Sequence, residues 1–472
     1  MSAHAYPDLT HKLAWWSFLT MLVVAPWLHG AEQLWEQMLV LGLIFVSLAL
    51  LLVKPASSPL VPLPPALKWA FRAGCLWIGF NVVYLLPMPA SLLSALSPNT
   101  FTWYSHPQPA DEVYLSVYWF ASAVELMKFV GLLALIPLVF WLCAAGHAQK
   151  VISTAVWIAT LTSIYSLVNF ATEGTFDFIP AIPPWDYSWQ EGIRGTYSYK
   201  NQYATYLAMS VALGTGWSMS MYRAMRLRGE RATHWVFSKP FLKLAFVVLA
   251  TGVIYITLLN TASRGALLSL TLSLFLVFGS YIMLKAERRK ALLRPRIIIA
   301  GAIALIIGSA VFVQSAAFER FIQFEFEDNG RQQLRQTAMH VIADYPLTGT
   351  GPGTYPFIQH NYKPASLGNS GMSQRAHNDY LETLATQGII GTSLAVLFIS
   401  ALLSGVFKRS KHGASPYLMA CRCGILTMLI QSAFDVNIST YWLPVYFVIL
   451  SALGWHFRKR ASDEQSTSPL PT

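Results

Sequence analysis

The chain has 472 residues, of which 54% are hydrophobic and only 12% are charged. This composition excludes a soluble globular protein, because apolar runs of roughly 17–25 residues, long enough to span a bilayer, recur from one end to the other. The net charge of +11 does not indicate a nucleic-acid partner, since the basic residues fall in short loops between the apolar runs.

The apolar runs predict an all-α, polytopic membrane protein of about twelve transmembrane helices. We expect one polytopic domain over residues 1–460 and a disordered cytoplasmic tail over residues 461–472, most of which are polar. The predicted spans lie near residues 13–28, 35–53, 68–85, 117–143, 151–170, 202–222, 241–259, 266–284, 297–314, 388–407, 417–434 and 441–457.

The distribution of basic residues orients these spans. Loops 223–240 and 285–296 carry clusters of Lys and Arg, as do the residues that follow 407 and 457. The positive-inside rule makes this side cytoplasmic, together with both termini. The loops on the opposite side, of which 315–387 is the longest, are then periplasmic.

The long periplasmic loop is expected to be functional, because a loop of this length without an apolar run is rarely a passive connector. Within it, Arg331 to Ala343 has apolar residues at helical spacing and predicts a helix that ends before Pro346. Arg331 and Arg335 of this helix are candidates for contact with substrate. The glycines at 349, 351 and 353 are predicted to be turn residues, and the acidic residues 325, 327 and 328 to form a solvated face.

Two charged residues stand inside the fourth predicted span. Glu125 and Lys128 are three residues apart and can pair on one helix face, which lowers the cost of charge in the membrane. A structural ion pair and a contact with substrate both remain open. The chain has no Asp-x-Asp sequence, which argues against a metal-dependent nucleotide-sugar site, and we predict no metal and no cofactor.

The stretch from Gly192 to Leu207 combines cations with aromatic residues ahead of the sixth span. Arg194 is a candidate ligand for phosphate, and Lys200 and Asn201 are candidates for further contact with substrate. The alternative is an aromatic loop at the membrane interface, as expected of residues of this kind beside a span. The tyrosines on which that alternative rests are Tyr197, Tyr199, Tyr203 and Tyr206.

A second phosphate candidate is Arg264, in the turn from Asn260 to Gly265. Ser263 is a natural N-cap for the helix that follows, which puts Arg264 in the first helical turn, where the helix dipole disfavours a cation. Helix stability therefore does not explain the arginine, whereas a guanidinium at a helix N-terminus suits a bound phosphate. The alternative is an arginine that reaches the lipid headgroups.

The segment around His377 is the strongest catalytic candidate. Asn378 or Asp379 can cap a short helix that Gly388 ends, with Glu382 in capping-box position after Asp379. The helix N-terminus and Arg375 both disfavour an imidazolium, so we expect His377 to be neutral and able to accept a proton. The alternative is a polar turn in which His377 bonds only a nearby carbonyl.

Two parts of this region, Asp344 to Tyr355 and Arg375 to Gly391, resemble the signature region of the O-antigen ligase and polymerase superfamily. The Ser-Arg-Gly at Ser263 matches the pattern of the superfamily, whose arginine is implicated in holding the donor diphosphate. The stretch after Gly192 is similar in register, although Lys200 stands in place of an arginine and Gln202-Tyr203 in place of His-Phe.

The resemblance implies a bacterial inner-membrane glycosyltransferase of the GT-C class, which acts at the periplasmic face on an undecaprenyl-diphosphate-linked glycan. Arg264 and Arg194 would stabilise the leaving diphosphate and His377 would act as general base, without a metal and with inversion at the sugar carbon. The acceptor is another glycan in a polymerase, which we slightly prefer, or lipid A-core in a ligase. Further candidate contacts are Lys200, Asn201, Arg331, Arg335, Arg375, Asn378 and Asp379.

Three other functions remain as alternatives. A protein O-glycosyltransferase would commonly have a longer C-terminal periplasmic part. A lipid-linked glycan transporter would place its charges near the membrane midplane, whereas the candidate charges here gather at one rim. A scaffold without activity would leave His377 and Arg264 without a role.

Overall fold

The structure is a computed structural model that describes residues 9–53, 60–105, 112–177, 192–227, 238–289, 325–364, 375–408 and 415–466. The side chains of 281–289, 325–330 and 460–466 are outside this description. The predicted span at 297–314 and the acidic side chains at 325, 327 and 328 therefore cannot be compared with it.

The described residues form a bundle of long helices with a few short elements at one end. The two strands form one antiparallel pair, in which Pro87 lies opposite Tyr114. A π-helical turn, Cys143–His147, and a 3₁₀ turn, Gln359–Asn361, accompany the helices. The elements are α1 Leu9–Val24, α2 Leu34–Leu52, α3 Pro65–Val83, β1 Pro87–Met88, α4 Ala90–Leu96, α5 Pro98–Ser105, β2 Val113–Tyr114, α6 Trp119–Leu142, α7 Ala148–Ala171, α8 Lys200–Leu227, α9 Lys239–Asn260, α10 Arg264–Arg289, α11 Glu325–Asp344, α12 Tyr355–Ile358, α13 Asp379–Phe407, α14 Pro416–Gln431 and α15 Trp442–Ser466.

Eleven of the twelve predicted spans coincide with a helix in the described part of the chain. By length and composition, four helical segments there are apolar enough to cross a membrane: α2, α6 with α7 as one continuous segment, α9 and α13. The protein is therefore helical with several candidate spans. Helix α15 continues to Ser466, beyond the predicted end of the polytopic domain.

Helix α8 shows why some helices of the bundle have a lower mean hydropathy than a typical membrane-spanning helix. Its buried face carries polar residues that bond to other parts of the protein. Gln202 Nε2 donates to the carbonyl of Val436 at 3.1 Å, and Thr205 Oγ1 donates to Asn437 Oδ1 at 2.9 Å. Because these groups are satisfied inside the bundle, the helix does not need an apolar surface all round.

The tyrosines at the start of α8 belong to the protein core. Tyr197, Tyr203 and Tyr206 are almost fully buried, and the rings of Tyr197 and Tyr203 lie 5.3 Å apart. Tyr206 continues the cluster to Tyr446 of α15 at 5.7 Å. The alternative of an aromatic loop at the membrane interface is therefore wrong for these three residues.

The loops predicted to share one side of the membrane meet at one end of the bundle. Backbone hydrogen bonds join Val117 to Thr350 at 2.9 Å, Ile193 to Asn260 at 3.2 Å and Asp379 to Ser432 at 2.9 Å. The turn between α1 and α2 joins them, since the amide of Trp442 donates to the carbonyl of Gly30 at 2.9 Å. The candidate site lies among these loops.

Helix α13 is interrupted at Gly388, as the sequence predicted. The residue has φ 58° and ψ −171°, which no helix contains. The segment 346–351 runs beside the break and bonds to its opened backbone groups, with Ile389 donating to the carbonyl of Pro346 at 2.9 Å and Gly351 to that of Thr386 at 2.8 Å. The glycine-rich segment is thus a brace for the helix break, and the glycines at 349, 351 and 353, predicted to be turn residues, have positive φ.

Candidate active site

His377 and Asp435 form a hydrogen-bonded pair at the loop end of the bundle. His377 Nδ1 lies 2.9 Å from Asp435 Oδ1, and the two side chains are only 12% and 2% exposed. The φ of His377 is 48°, a left-handed conformation that costs energy for a residue with a Cβ. The surrounding contacts hold the imidazole in this position.

The carboxylate of Asp435 gathers donors from three distant parts of the chain. Tyr199 donates its hydroxyl to Oδ2 at 3.2 Å, Asn201 donates its amide, and Arg331 lies at 3.5 Å. Burial by itself raises the pKa of Asp435, but the bond from His377 and the charges of His377 and Arg331 outweigh it, so the pKa lies below its usual value. Asp435 is therefore an anion at neutral pH.

This anion fixes the proton arrangement of His377. An ionised carboxylate can only accept hydrogen bonds, so Nδ1 must carry the proton that points at Asp435. In the neutral ring the acceptor lone pair is then on Nε2. A base oriented by a carboxylate in this way is the arrangement found where a hydroxyl has to be deprotonated.

Asn378 and Asp379 position this pair. Asn378 Oδ1 accepts from the amides of Tyr380 and Leu381, both at 3.0 Å, and so is the N-cap of α13. Asp379 accepts from the amide of Asn437 at 3.0 Å, which ties the helix start to the turn that carries Asp435. Both residues were candidates for contact with substrate, and the structure places them in these internal bonds.

Glu382 does not complete a capping box, contrary to the prediction. Its carboxylate accepts from the amide of Ala376 at 3.1 Å and from Arg375 Nη1 at 2.8 Å. It thereby fastens the segment before His377 to the helix that follows. Arg375 is thus paired with Glu382, and the charge in contact with His377 is the Asp435 carboxylate, which local sequence did not indicate.

Arg264 and Arg194 lie in a neighbouring part of the same end. Arg264 is exposed at the first residue of α10, but the buried hydroxyl of Ser263 makes no hydrogen bond, so the predicted side-chain cap is absent at this position. Arg194 lines a pocket of about 250 Å³ with Asp177. The two arginine segments touch through the bond from Ile193 to the carbonyl of Asn260.

The remaining predicted cations are distributed over this end. Lys200 is half-buried at the first residue of α8. Arg335 stands one turn after Arg331 on α11, and its buried Nε has no hydrogen-bond partner. The predicted helix is confirmed, with its apolar residues Leu334, Ala338 and Val341 buried. The structure thus joins His377, Asn201 and Arg331 on one carboxylate.

Sequence reasoning missed Asp435 and Tyr199 as members of the site. One signal was present, because Asp435 is the only acidic residue between Glu382 and Asp463 in a highly apolar stretch. An isolated ionisable group beside transmembrane segments is a functional candidate. Its partner could not be found in the sequence, since His377 lies 58 positions away.

The predicted pairing of Glu125 with Lys128 is confirmed.

Residues 244–396 match the model of a family described as O-antigen ligase. The match contains Arg264 and His377, whereas Arg194, Asn201 and Asp435 lie outside it. It confirms the predicted resemblance to the O-antigen ligase and polymerase superfamily. No curated protein matches the chain in a sequence search.

Proposed function

We propose that this chain, which carries an O-antigen ligase domain at residues 244–396, transfers a glycan from undecaprenyl diphosphate to an acceptor hydroxyl. The observation that carries the proposal is the His377–Asp435 pair, 2.9 Å apart, at the end of the bundle where Arg264 also lies. The family match supports glycan transfer in general. The donor, the acceptor and the roles of the residues are part of the proposal.

The chemistry needs one base and one site for a leaving anion. His377 Nε2 takes the proton of the acceptor hydroxyl as its oxygen attacks the sugar carbon. The bond from that carbon to the diphosphate breaks, and the diphosphate leaves with the electron pair, stabilised by Arg264 and Arg194. Asp435 stabilises the imidazolium that forms. A single in-line displacement inverts the anomeric carbon, and no step requires a metal.

The periplasm is the proposed side of the reaction. The basic loops 223–240 and 285–296 belong to the side opposite the site in the alternation of spans, which makes them cytoplasmic. The site loops then face the periplasm of a bacterial inner membrane. The GT-C class, to which the resemblance assigns this arrangement, is proposed with it.

We infer that the product is a polymer of glycan repeats, because the stretch from Arg194 to Leu207 resembles polymerase relatives most closely. A polymerase binds two lipid diphosphates at once, and Lys200, Arg331, Arg335 and Lys363 supply cations beyond the first pair. A ligase, the second candidate, is favoured by the description of the matched family. In a ligase these cations would meet phosphates of the lipid A-core.

Deletion of the gene tests the function and separates the two candidates. We expect single repeats to accumulate on the lipid carrier and long chains to vanish, as seen by gel and mass spectrometry of the lipid-linked pool. In the deletion strain, a gene that encodes the His377→Ala variant should not restore the chains, because the variant should transfer the glycan roughly 10²–10⁴ times more slowly. His340→Ala, which alters an exposed histidine of α11, is the matched control and should restore them.

Two results would contradict this assignment. Long chains that persist on the carrier, with only their transfer to lipid A-core lost, would identify a ligase. Full complementation by His377→Ala, at equal protein level in the membrane, would remove His377 from the mechanism.

A further inference from the structure

A groove between helices α7, α8 and α9 lies at the end of the bundle opposite the candidate active site. Lys243, which lines it, is in the first two turns of α9. The other end of α9 is at the active-site end, since the carbonyl of Asn260 accepts from the amide of Ile193. The groove has a volume of about 680 Å³, within the range of roughly 300–1,000 Å³ typical of small-molecule sites. We name it the Lys243 groove.

The walls of the Lys243 groove change from polar to aromatic along its length. Gln149, Ser153 and Trp157 line it at intervals of four residues, so they lie on one face of α7 and span about 12 Å. Trp217 of α8 meets Trp157 edge-on, with ring centroids 6.4 Å apart. Gln149 and Lys243 are both in the first two turns of their helices. The cation and the amide are therefore at the loop end, and the two indoles lie deeper.

The mouth of the groove is basic. Among the described residues, no carboxylate lines the groove or pairs with Lys243. The position does not favour a cation for the sake of the helix, because the dipole at a helix N-terminus disfavours positive charge. An anion at the mouth would meet a cation without meeting a like charge. A cationic mouth above an aromatic interior suits an amphiphile with an anionic head.

A glycerophospholipid matches this order of groups. Its phosphate can meet Lys243, and its ester carbonyls, one step deeper, can accept a hydrogen bond. Gln149 Oε1 accepts from the hydroxyl of Tyr417 at 2.5 Å, which leaves its Nε2 to donate to such a carbonyl. A polyprenyl phosphate has no acceptor between its phosphate and its hydrocarbon, and inorganic phosphate would leave the aromatic walls without an apolar partner.

We propose that the Lys243 groove binds one acidic glycerophospholipid of the bilayer, with its phosphate at Lys243 and its acyl chains on Trp157 and Trp217. The groove is on the side that the basic loops predict to be cytoplasmic, and basic pockets between transmembrane helices on that side suit acidic lipid headgroups. This inference goes beyond the proposed function and does not depend on glycan transfer.

Lipid binding to the purified, delipidated full-length protein in detergent tests the proposal. The probes are phosphatidylglycerol and phosphatidylcholine with identical acyl chains, and native mass spectrometry gives the dissociation constant of each. The constant for phosphatidylglycerol should be roughly fivefold lower, the advantage expected of one lysine beside an acidic lipid. Lys243→Gln should remove this preference, and Lys243→Arg should keep it. Lys239→Gln, one turn earlier on α9 and outside the groove, is the matched control and should leave both constants unchanged.

A second pair of variants tests the groove independently of its charge. Ala224 is an exposed residue of α8 that lines the groove, so a larger side chain there fills the groove without disturbing the protein core. Ala224→Trp should therefore weaken the binding of both lipids roughly tenfold. Ala245→Trp, at an exposed position of α9 outside the groove, is the matched control and should bind both as the wild-type protein does.

Four results would overturn the proposal. Equal affinity of the wild-type protein for the two lipids would show only a general contact with the bilayer. Wild-type binding in both Lys243→Gln and Ala224→Trp would place the lipid elsewhere. Displacement of phosphatidylglycerol by inorganic phosphate would indicate a simple anion site, and tighter binding of undecaprenyl phosphate would identify a different occupant.

Discussion

Asp435 supports the proposed role of His377, a histidine in a polar turn, as a base. It is buried, its pKa lies below the usual value because the contacts with His377 and Arg331 outweigh its burial, and it accepts from Tyr199 as well. Burial raises the pKa of Tyr199, so this hydroxyl keeps its proton and donates. Each partner therefore favours the same protonation state, in which His377 Nδ1 donates and Nε2 accepts.

Asp435→Asn tests this arrangement. An amide can donate to Nδ1, which would reverse the tautomer of His377, so we expect kcat to fall roughly 10²–10⁴ with little change in KM. Because a carboxyl with a depressed pKa is ionised above its unfolded value near 3.8, any stability it confers is present at neutral pH and is lost only in acid.

The control for this prediction is the pH dependence of the rate. In the wild-type protein Asp435 stays ionised across the neutral range. The shape of the wild-type pH–rate profile in that range should therefore not come from Asp435. In Asp435→Asn the profile should change in shape as well as in height. A lower rate with an unchanged profile and a lower melting temperature would indicate only a structural role.

The break in α13 is the decisive element for the geometry of the site. It lets the first turns of the helix, which begin two residues after His377 and carry Glu382, lie at the loop end while the rest of the helix continues through the bundle. At Gly388 a Cβ would lie 2.3 Å from the carbonyl oxygen of Leu347. Because that atom belongs to the backbone of the bracing segment, it cannot move aside as a side chain would.

Gly388→Ala should therefore lower the melting temperature and abolish activity, since it combines a positive φ with a backbone clash. Gly252→Ala on α9 is the matched control, because a Cβ there meets no atom within 4 Å. It should be neutral or stabilise the protein by up to about 1 kcal/mol. Thermal unfolding in detergent measures both, and equal melting temperatures would contradict this account of the break.

The elements show where the sequence was sufficient. The cap at Asn378, the end at Gly388 and the helix after Arg331 follow from local rules of capping, glycine conformation and periodicity, and the structure contains all three. The predicted capping box with Glu382 was wrong, because its carboxylate accepts instead from the amide of Ala376. That amide lies in a turn whose shape depends on tertiary contacts. The meeting of Tyr199, Arg331 and Asp435 could not be predicted, since no local rule relates such distant segments.

At the scale of the whole molecule, the loops that build the site converge on one end, as the alternation of basic loops predicted. The orientation of that end in the membrane stays a prediction. It matters for the proposed function, because the proposed donor glycan would have to be presented in the periplasm.

Cysteine labelling in intact cells tests the orientation. With the four native cysteines replaced by serine, Gln332→Cys on the exposed face of α11 should react with an impermeant thiol reagent added from outside. Gly229→Cys in the basic loop should react only after the membrane is opened. The reverse pattern would put the site in the cytoplasm and contradict the proposed donor.

The wide separation of the site residues also determines when during biosynthesis the site can exist. Asp435 bonds Tyr199 across 236 positions and Arg331 across 104, and it lies in the turn before α15. Membrane insertion proceeds from the N-terminus, so every other member is in place before the carboxylate that orders them emerges from the ribosome. A nascent or prematurely ended chain therefore holds the histidine without its anchor, so under the proposed function an unfinished chain would not act on the lipid-linked pool.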